Sequence, residues 1–389
     1  MSTRALVVGA GPAGLAAAAD LATWCDAVTV LEARSKGSRR AAGEHLPPRA
    51  LSALARLGFQ PLLDDRAHEP SPGSRSAWGS PMPSDRDYFT GLPGRGLNLD
   101  RGVFDEALAD RAEARGVVVR WGTRLHDLAL DVAEESTSGP EAGFVAGVAT
   151  RDGGEVLHAD VVVDATGRRA AASRMVGFEH RRFDDLLALT GCVHSCATDP
   201  EGGRIRIEAV EDGWWYAVQR SDLTLLATFM TDPVLLRRHP GTAADAWQAS
   251  LASTRLVAPM AETGHWDGRV EGFDAATQRF DGRVEERGRS SLDARFVALG
   301  DAAVAWDPMS SWGITKAVSD GVEGAAALRR VRQGDACAVL DHRDGQLAEF
   351  ARYRERQMEY YAAETRWLSA PFWRSRRLDR DMTDVRQEA

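Results

Sequence analysis

Lysine is almost missing from this chain. Of the 48 basic residues in 389, only Lys36 and Lys316 are lysines and the rest are arginines. A GC-rich genome accounts for the bias, but it leaves few amines for any chemistry that needs one. Cysteine is scarce too: Cys25, Cys192, Cys196 and Cys337 do not make a disulfide framework at this length. No stretch approaches the ~20 apolar residues of a membrane span. The chain enters a strand by residue 5, with no charged n-region, apolar core or cleavage site of a signal peptide. The sequence therefore predicts a cytoplasmic protein with no membrane partner. A net charge of −9 argues against a nucleic-acid partner. No internal repeat, Ser-His-Asp constellation or metal-ligand set is legible, so no metal is expected.

What is present is the composition of an ordinary globular protein, 44% hydrophobic and 27% charged, long enough for a large core. Three apolar segments end in small residues where a backbone can approach a ligand. The first is Val7-Val8-Gly9-Ala10-Gly11-Pro12-Ala13-Gly14, followed by a helix and a strand ending in Glu32. The second is Val161 to Gly167, and the third is Phe296 to Ala302. In the first, Gly9 permits a tight turn, Gly11 lets the backbone approach a pyrophosphate and Gly14 allows close helix–strand packing. Glu32, 18 residues past Gly14, sits where a carboxylate accepts ribose hydroxyls. The three segments in this order point to FAD.

Around these motifs the pattern is mixed. Residues 60–98 are rich in Pro, Gly and Ser and read as a long irregular excursion. Arg101 to Arg115 has helical spacing, and 136–143 reads as a turn between strands. From 183 to 280 longer strands predict an antiparallel sheet: Leu187 to Cys196, Arg204 to Val210, Trp214 to Gln219 and Leu223 to Met230. Thr242 with Asp245 marks a helix start, and 313–333 and 346–366 read as closing helices. The predicted class is α/β: a Rossmann-like FAD-binding domain (1–60, 99–182, 283–335), an inserted antiparallel-sheet substrate domain (61–98, 183–282) and a C-terminal helical segment (336–389).

The three segments together resemble FAD-dependent oxidoreductases with the glutathione reductase-type, para-hydroxybenzoate hydroxylase-like fold. Asp164-Ala165-Thr166-Gly167 and Asp307-Pro308-Met309-Ser310-Ser311-Trp312-Gly313 look like its halogenase-related branch. Gly213-Trp214-Trp215-Tyr216-Ala217-Val218 is similar to the GWxWxIP element of flavin-dependent halogenases, from which Tyr216 and Val218 depart. Gly43 to Pro48, Ala77-Trp78-Gly79-Ser80, Leu99-Asp100-Arg101 and the tail Arg366-Trp367 with Ala370 to Trp373 resemble flavoproteins of the LodB, GoxB and QhpG type. That family hydroxylates protein-bound tryptophan during quinone-cofactor maturation.

The resemblance implies a set of FAD contacts: Gly9, Gly11, Pro12, Ala13, Gly14, Glu32, Ala33, Arg34, Arg101, Asp164, Ala165, Gly167, Gly300, Asp301, Pro308, Gly313 and Ile314. A helix starting near Gly313 would aim its positive end at the flavin N1 and C2 carbonyl. Trp78, Trp215, Ser310, Ser311 and Trp312 are the implied substrate contacts. Flavin halogenases need a lysine that lies after the element matching Gly43-Glu44 and before the second FAD segment. None lies between Lys36, which falls just after Glu32, and Lys316, inside the helix from Gly313, and this disfavours halogenation. The expected chemistry is oxygen transfer from a flavin C4a-hydroperoxide to an electron-rich ring, with O2 as co-substrate and NADH or NADPH as reductant, directly or through a separate flavin reductase. The substrate expected is an indole, a tryptophan in a peptide or protein. A free aromatic metabolite, a reductase of the geranylgeranyl-reductase type and a non-catalytic flavin-binding partner stay open.

Glu44, His45 and His194 are candidate acid–base groups, against a solvated loop for the first two. Cys192, His194 and Cys196 alternate and would share a strand face, as a pocket lining, packed residues or, less favourably, a metal site. Trp78 either stacks on substrate or anchors its loop. The aromatics from Phe350 to Trp373 read as core at helical spacing. The arginines of 366–377, with Arg380 beyond, form either a solvated basic tail or a surface for an acidic partner.

Overall fold

A computed structural model of the chain describes residues 2–37, 43–88, 94–131, 143–150, 153–283, 292 and 294–377. Its centre is a five-stranded parallel sheet in the spatial order Phe296–Ala298, Val161–Asp164, Arg4–Val8, Ala27–Glu32, Val118–Trp121. Val7, Val30, Val162 and Val163 are fully buried. Continuous apolar runs of this kind suit strands covered on both faces. Helices Pro12–Leu21 and Gly313–Arg332 cover one face. They touch through Gly321, where a Cβ would fall 2.5 Å from Ala13 O. The other face is covered by an antiparallel sheet of Arg124–Asp131, Gly143–Thr150 and Gly153–Ala159, packed through Leu128, Phe144 and Val148.

A larger sheet carries His265–Trp266, Leu187–His194, Leu225–Thr231, Gly213–Gln219, Ile205–Val210, Gly73–Ala77 and Ser84–Asp87 in that order, with Glu271–Asp274 also on Leu187–His194. It is antiparallel except where Ile205–Val210 meets Gly73–Ala77. Helix Ala243–Ala252 covers one face and helices Ala338–Ala363 and Pro371–Arg377 the other. The capping box forms as predicted: Asp245 N donates to Thr242 Oγ1 (3.2 Å) and Thr242 N to Asp245 Oδ2 (2.7 Å).

Two expectations need correction. The excursion 60–98 is not irregular throughout: Glu69–Ser71 joins Gly96–Asp100 and Gly43–Leu46, while Gly73–Ala77 and Ser84–Asp87 finish the large sheet. The strand from Leu187 ends at His194, because Ser195 turns left-handed at φ 56°. The turn read at 136–143 lies outside the described residues up to Gly143.

Candidate functional site

The strand ends of the central sheet converge on one cradle. Gly9 adopts φ 106° and its N–H donates to Leu31 O (2.7 Å). A Cβ there would fall 2.3 Å from Ala165 O, and one on Gly14 would fall 2.0 Å from Gly9 O. The first and second motifs thus interlock without room for side chains. Helix Pro12–Leu21 starts from Gly11 with Pro12 in its first turn and no side-chain cap. The first-turn amides, Ala13 and Gly14 among them, lack intrahelical partners and carry the positive end of the helix. A pyrophosphate suits that end.

Glu32 spans the adjoining turn. Its Oε2 accepts Ala10 N and its Oε1 accepts Arg34 N, each at 3.0 Å. Its side chain is largely shielded, which leaves lone pairs on a fixed carboxylate beside the exposed Ala33 and Arg34. A cleft of about 650 Å3 lined by Ser35, Lys36 and Trp121 opens beyond it.

The second motif corrects one expectation. Asp164 is fully buried and both its oxygens serve its own turn. Oδ1 accepts Thr166 N (2.9 Å) and Oγ1 (2.6 Å), and Oδ2 accepts Ser173 N (2.7 Å) and Oγ (2.6 Å). It shapes the turn and has no face left for a cofactor. Beside it Ala165 is buried against the Gly9 turn, while Gly167 is left-handed at φ 65° with open space at its missing Cβ. Arg168, which the sequence reading passed over, reaches the third motif: its Nε lies 3.3 Å from Asp301 Oδ2 and its Nη2 donates to Trp306 O (2.6 Å). An arginine directly after the Asp-Ala-Thr-Gly turn was the available signal.

In the third motif Gly300 is left-handed (φ 59°), and its N–H donates to Asp320 Oδ2 (2.9 Å). Asp301 keeps its carboxylate half exposed beside Arg168. Downstream, Asp307 is buried and organises the segment to Gly313. Met309 N donates to its Oδ1 (2.7 Å); Tyr361 OH (2.5 Å) and Gln357 Nε2 (3.2 Å) donate to its Oδ2. Its own N–H donates to Tyr353 OH (2.8 Å). Burial pushes the Asp307 carboxyl above the usual carboxylate range, and raises the Tyr353 and Tyr361 phenols well above theirs. Pro308 is exposed, Ser310 and Ser311 are half-buried, and Ser311 is left-handed (φ 49°). Helix Gly313–Arg332 then begins with no side-chain cap on Trp312, an exposed Gly313 with open space at its Cβ position, and a buried Ile314. Its open amides and positive end face accessible space, so an electron-rich ring edge fits there.

The proposed substrate and acid–base residues fare unevenly. Trp215 is corrected to a core residue: it stacks on Phe229 (5.1 Å), meets Trp247 edge-on (5.3 Å) and donates Nε1 to Ser250 Oγ (3.0 Å). Its neighbour Trp214 points to the opposite face, in one apolar cluster with Trp78, Tyr216 and Met309. Trp78 is a half-buried anchor, donating Nε1 to Tyr360 O (2.8 Å) amid Trp214, Tyr361 and Trp373. Trp312 is half-buried at the edge of the core.

His45 is buried with both ring nitrogens engaged. Asn98 Nδ2 donates to Gly203 O (2.7 Å), so Asn98 Oδ1 accepts His45 Nδ1–H (2.9 Å) and Tyr88 OH donates to Nε2 (2.7 Å). Burial lowers its pKa to about 4. That neutral, occupied imidazole is a strut, not an acid–base group. The Glu44 side chain lies outside the described residues. His194 is exposed at a strand end, its Nδ1 3.4 Å from Thr224 Oγ1. Cys196 packs beside Val193, whereas Cys192 packs with Ile205 and Val218, so the three do not share a face. Arg101 opens helix Arg101–Glu113 and pairs with Asp105 at 3.2 Å.

A parallel sheet with a glycine cradle, a fixed acid past the second strand and a helix end facing open space defines a dinucleotide-binding flavoprotein. The FAD binding domain family matches residues 2–342, and the chain belongs to it. It is an enzyme, an FAD-dependent oxidoreductase of the monooxygenase class. The chain is 30% identical over 380 residues to the FAD-dependent oxidoreductase LodB of Marinomonas mediterranea, covering 96% of this chain and 97% of that protein. It is 26% identical to the flavin-dependent halogenase armH3 of Armillaria mellea, over 87% and 70% of the two chains. Among solved structures it is similar to the peptidyl tryptophan dihydroxylase QhpG, with TM-score 0.73 and 26% identity over 97% of this chain and 79% of that one. The flavin-dependent halogenase CmlS shares the fold, with TM-score 0.80 and 23% identity over 100% and 70%. Among the described residues, no helix is long and apolar enough to cross a membrane.

Proposed function

We propose that this enzyme hydroxylates an aromatic ring, the indole of a tryptophan held in a peptide or protein. Bound FAD, reduced by NADH or NADPH directly or through a separate reductase, supplies an electrophilic oxygen drawn from O2. The chain's own part is positioning and exclusion of water. The Gly9, Gly167 and Gly300 turns hold the dinucleotide, the Gly313 helix end steadies charge on the ring system, and the half-buried Trp78, Tyr216 and Met309, backed by the buried Trp214, offer an apolar aromatic wall.

One observation favours oxygen over halogen transfer: both lysines are engaged elsewhere. Lys36 lies at the surface near Glu113 (3.7 Å) and Asp110 (3.9 Å). Lys316 is buried, 3.6 Å from Asp320 and 5.7 Å from the Trp306 ring centroid. No amine is left beside the aromatic wall to carry an activated halogen. Likeness to LodB over almost the full length of both proteins, and to QhpG, supports tryptophan as the target. Mass spectrometry of tryptophan-containing peptides incubated with enzyme, FAD, a flavin reductase, NADH and isotopically labelled O2 tests the reading. Labelled oxygen on the indole is expected; a halogenated product in the presence of chloride or bromide, or reduction of a double bond, would overturn it.

A further inference from the structure

A second cleft, of about 720 Å3, lies among residues 182–185, the turn Pro233–Leu236 and the two C-terminal helices. It shares no residue with the three FAD motifs, and its volume falls within the range of about 300–1,000 Å3 seen for ligand sites. Five arginines and three aspartates line it, in a chain whose net charge is −9.

Two of those arginines are already matched. Arg376 is buried and binds Asp232 through two bonds of 2.6 and 2.9 Å. Arg182 is answered by Asp274 at 2.9 and 3.2 Å. Among the described residues Arg354 has a neutral hydrogen-bond partner, Gln357, and no carboxylate, and it lies 4.8 Å over the Phe183 ring. Arg237 and Arg374 are exposed, with no carboxylate partner among the described residues. The cleft's other carboxylates are engaged elsewhere, Asp184 by the Leu186 and Thr277 amides (3.1 Å each) and Asp185 near Arg182 (4.0 Å). These three guanidinium groups, on three different elements beside the apolar Leu235, Met358 and Pro371, thus have no carboxylate partner among the described residues. A single carboxylate cannot answer all three. An extended segment presenting several carboxylates and some apolar surface can.

We propose that this cleft docks an acidic stretch of a peptide or protein, resting on the reading above that the enzyme's substrate is such a chain. The cleft also touches the flavin side of the molecule. Tyr361 and Gln357 line it and both donate to Asp307, which shapes the turn before Gly313. A docked segment therefore lies against the helix that sets that turn.

Fluorescence anisotropy with the full-length, FAD-loaded protein tests the proposal without turnover. The probes are a labelled Trp-containing peptide rich in Asp and Glu, the same peptide with Lys at those positions, and glutarate and inorganic phosphate as competitors. The acidic peptide should bind saturably and weaken with salt. R237E/R374E, whose flavin absorbance reports a loaded fold, should bind it at least about tenfold less tightly, and the lysine peptide should not compete. Equal binding by R237E/R374E, binding of the lysine peptide, or displacement by millimolar phosphate or glutarate as a small-anion site would overturn it. Docking without oxygen transfer sinks the hydroxylation reading alone. Hydroxylation of peptides indifferent to their acidic residues sinks the docking reading alone.

Discussion

A methyl group at position 9 has nowhere to go. The Gly9 backbone is left-handed at φ 106°, and its missing Cβ would sit 2.3 Å from Ala165 O. Gly9→Ala must strain the turn by about 1–3 kcal/mol or push the second motif away. Fluorescence titration should then show FAD affinity falling at least about tenfold, and an unchanged dissociation constant would remove Gly9 from the cradle. His45 makes a different prediction at the same scale. Burial lowers its pKa from 6.5 to about 4. Between those values the unfolded chain binds the proton and the folded chain refuses it, so stability falls as pH falls through that window, by about 3 kcal/mol at its foot. His45→Gln should flatten the decline of Tm between pH 6.5 and 4; parallel profiles for the two proteins would sink the assignment. Residue-scale reading worked where backbone geometry dictates the residue, at the tight turn of Gly9 and the close packing of Gly14. It failed at Trp215, because alternation puts Trp214 and Trp215 on opposite faces without saying which face meets the flavin side. Both faces of that sheet are covered, so no polar side marks the difference.

Elements show the same division. Thr242 and Asp245 announce their helix locally, and it forms. The strands Glu69–Ser71, Gly73–Ala77 and Ser84–Asp87 are short and built of residues that favour turns, so their pairing with distant strands leaves no periodicity to read. The segment from Asp307 to Gly313 was legible as a motif, but what holds it was not, since Tyr353, Gln357 and Tyr361 arrive from a helix dozens of residues later. Tyr361 is the test of that grip. Its hydroxyl donates to Asp307 and accepts from Trp214 Nε1 (3.1 Å), so Tyr361→Phe leaves a buried indole N–H without its acceptor. A loss of about 1–3 kcal/mol in stability should follow. If the turn before Gly313 depends on Asp307, the visible circular dichroism of bound FAD should change with it. A lower Tm with an unaltered flavin spectrum would make Tyr361 a packing residue only.

At the scale of the whole molecule, the cradle is assembled from segments far apart in the chain that have little reason to hold their places separately. Gly9 to Gly14 and Ala165 to Arg168 meet at the backbone, Arg168 pairs with Asp301 and donates to Trp306 O just before Asp307, and Gly300 N–H reaches Asp320 on the helix that follows Asp307 to Ile314. A ligand touching all four stabilises the folded state by the logarithm of its saturation, about 2.7 kcal/mol at a hundred times its dissociation constant. That stabilisation acts on every opening that separates the four segments. Hydrogen exchange with and without FAD should therefore show protection rising together in all four, including Arg168 and the Gly313 helix end, which lie far in sequence from the Gly9 turn. The distant strand Ser84–Asp87, at the edge of the large sheet, should exchange at the same rate in both states. Protection confined to residues 9–14 would mean that the dinucleotide binds the first motif alone, and that the Gly313 helix end does not receive the ring system the proposed oxygen transfer requires.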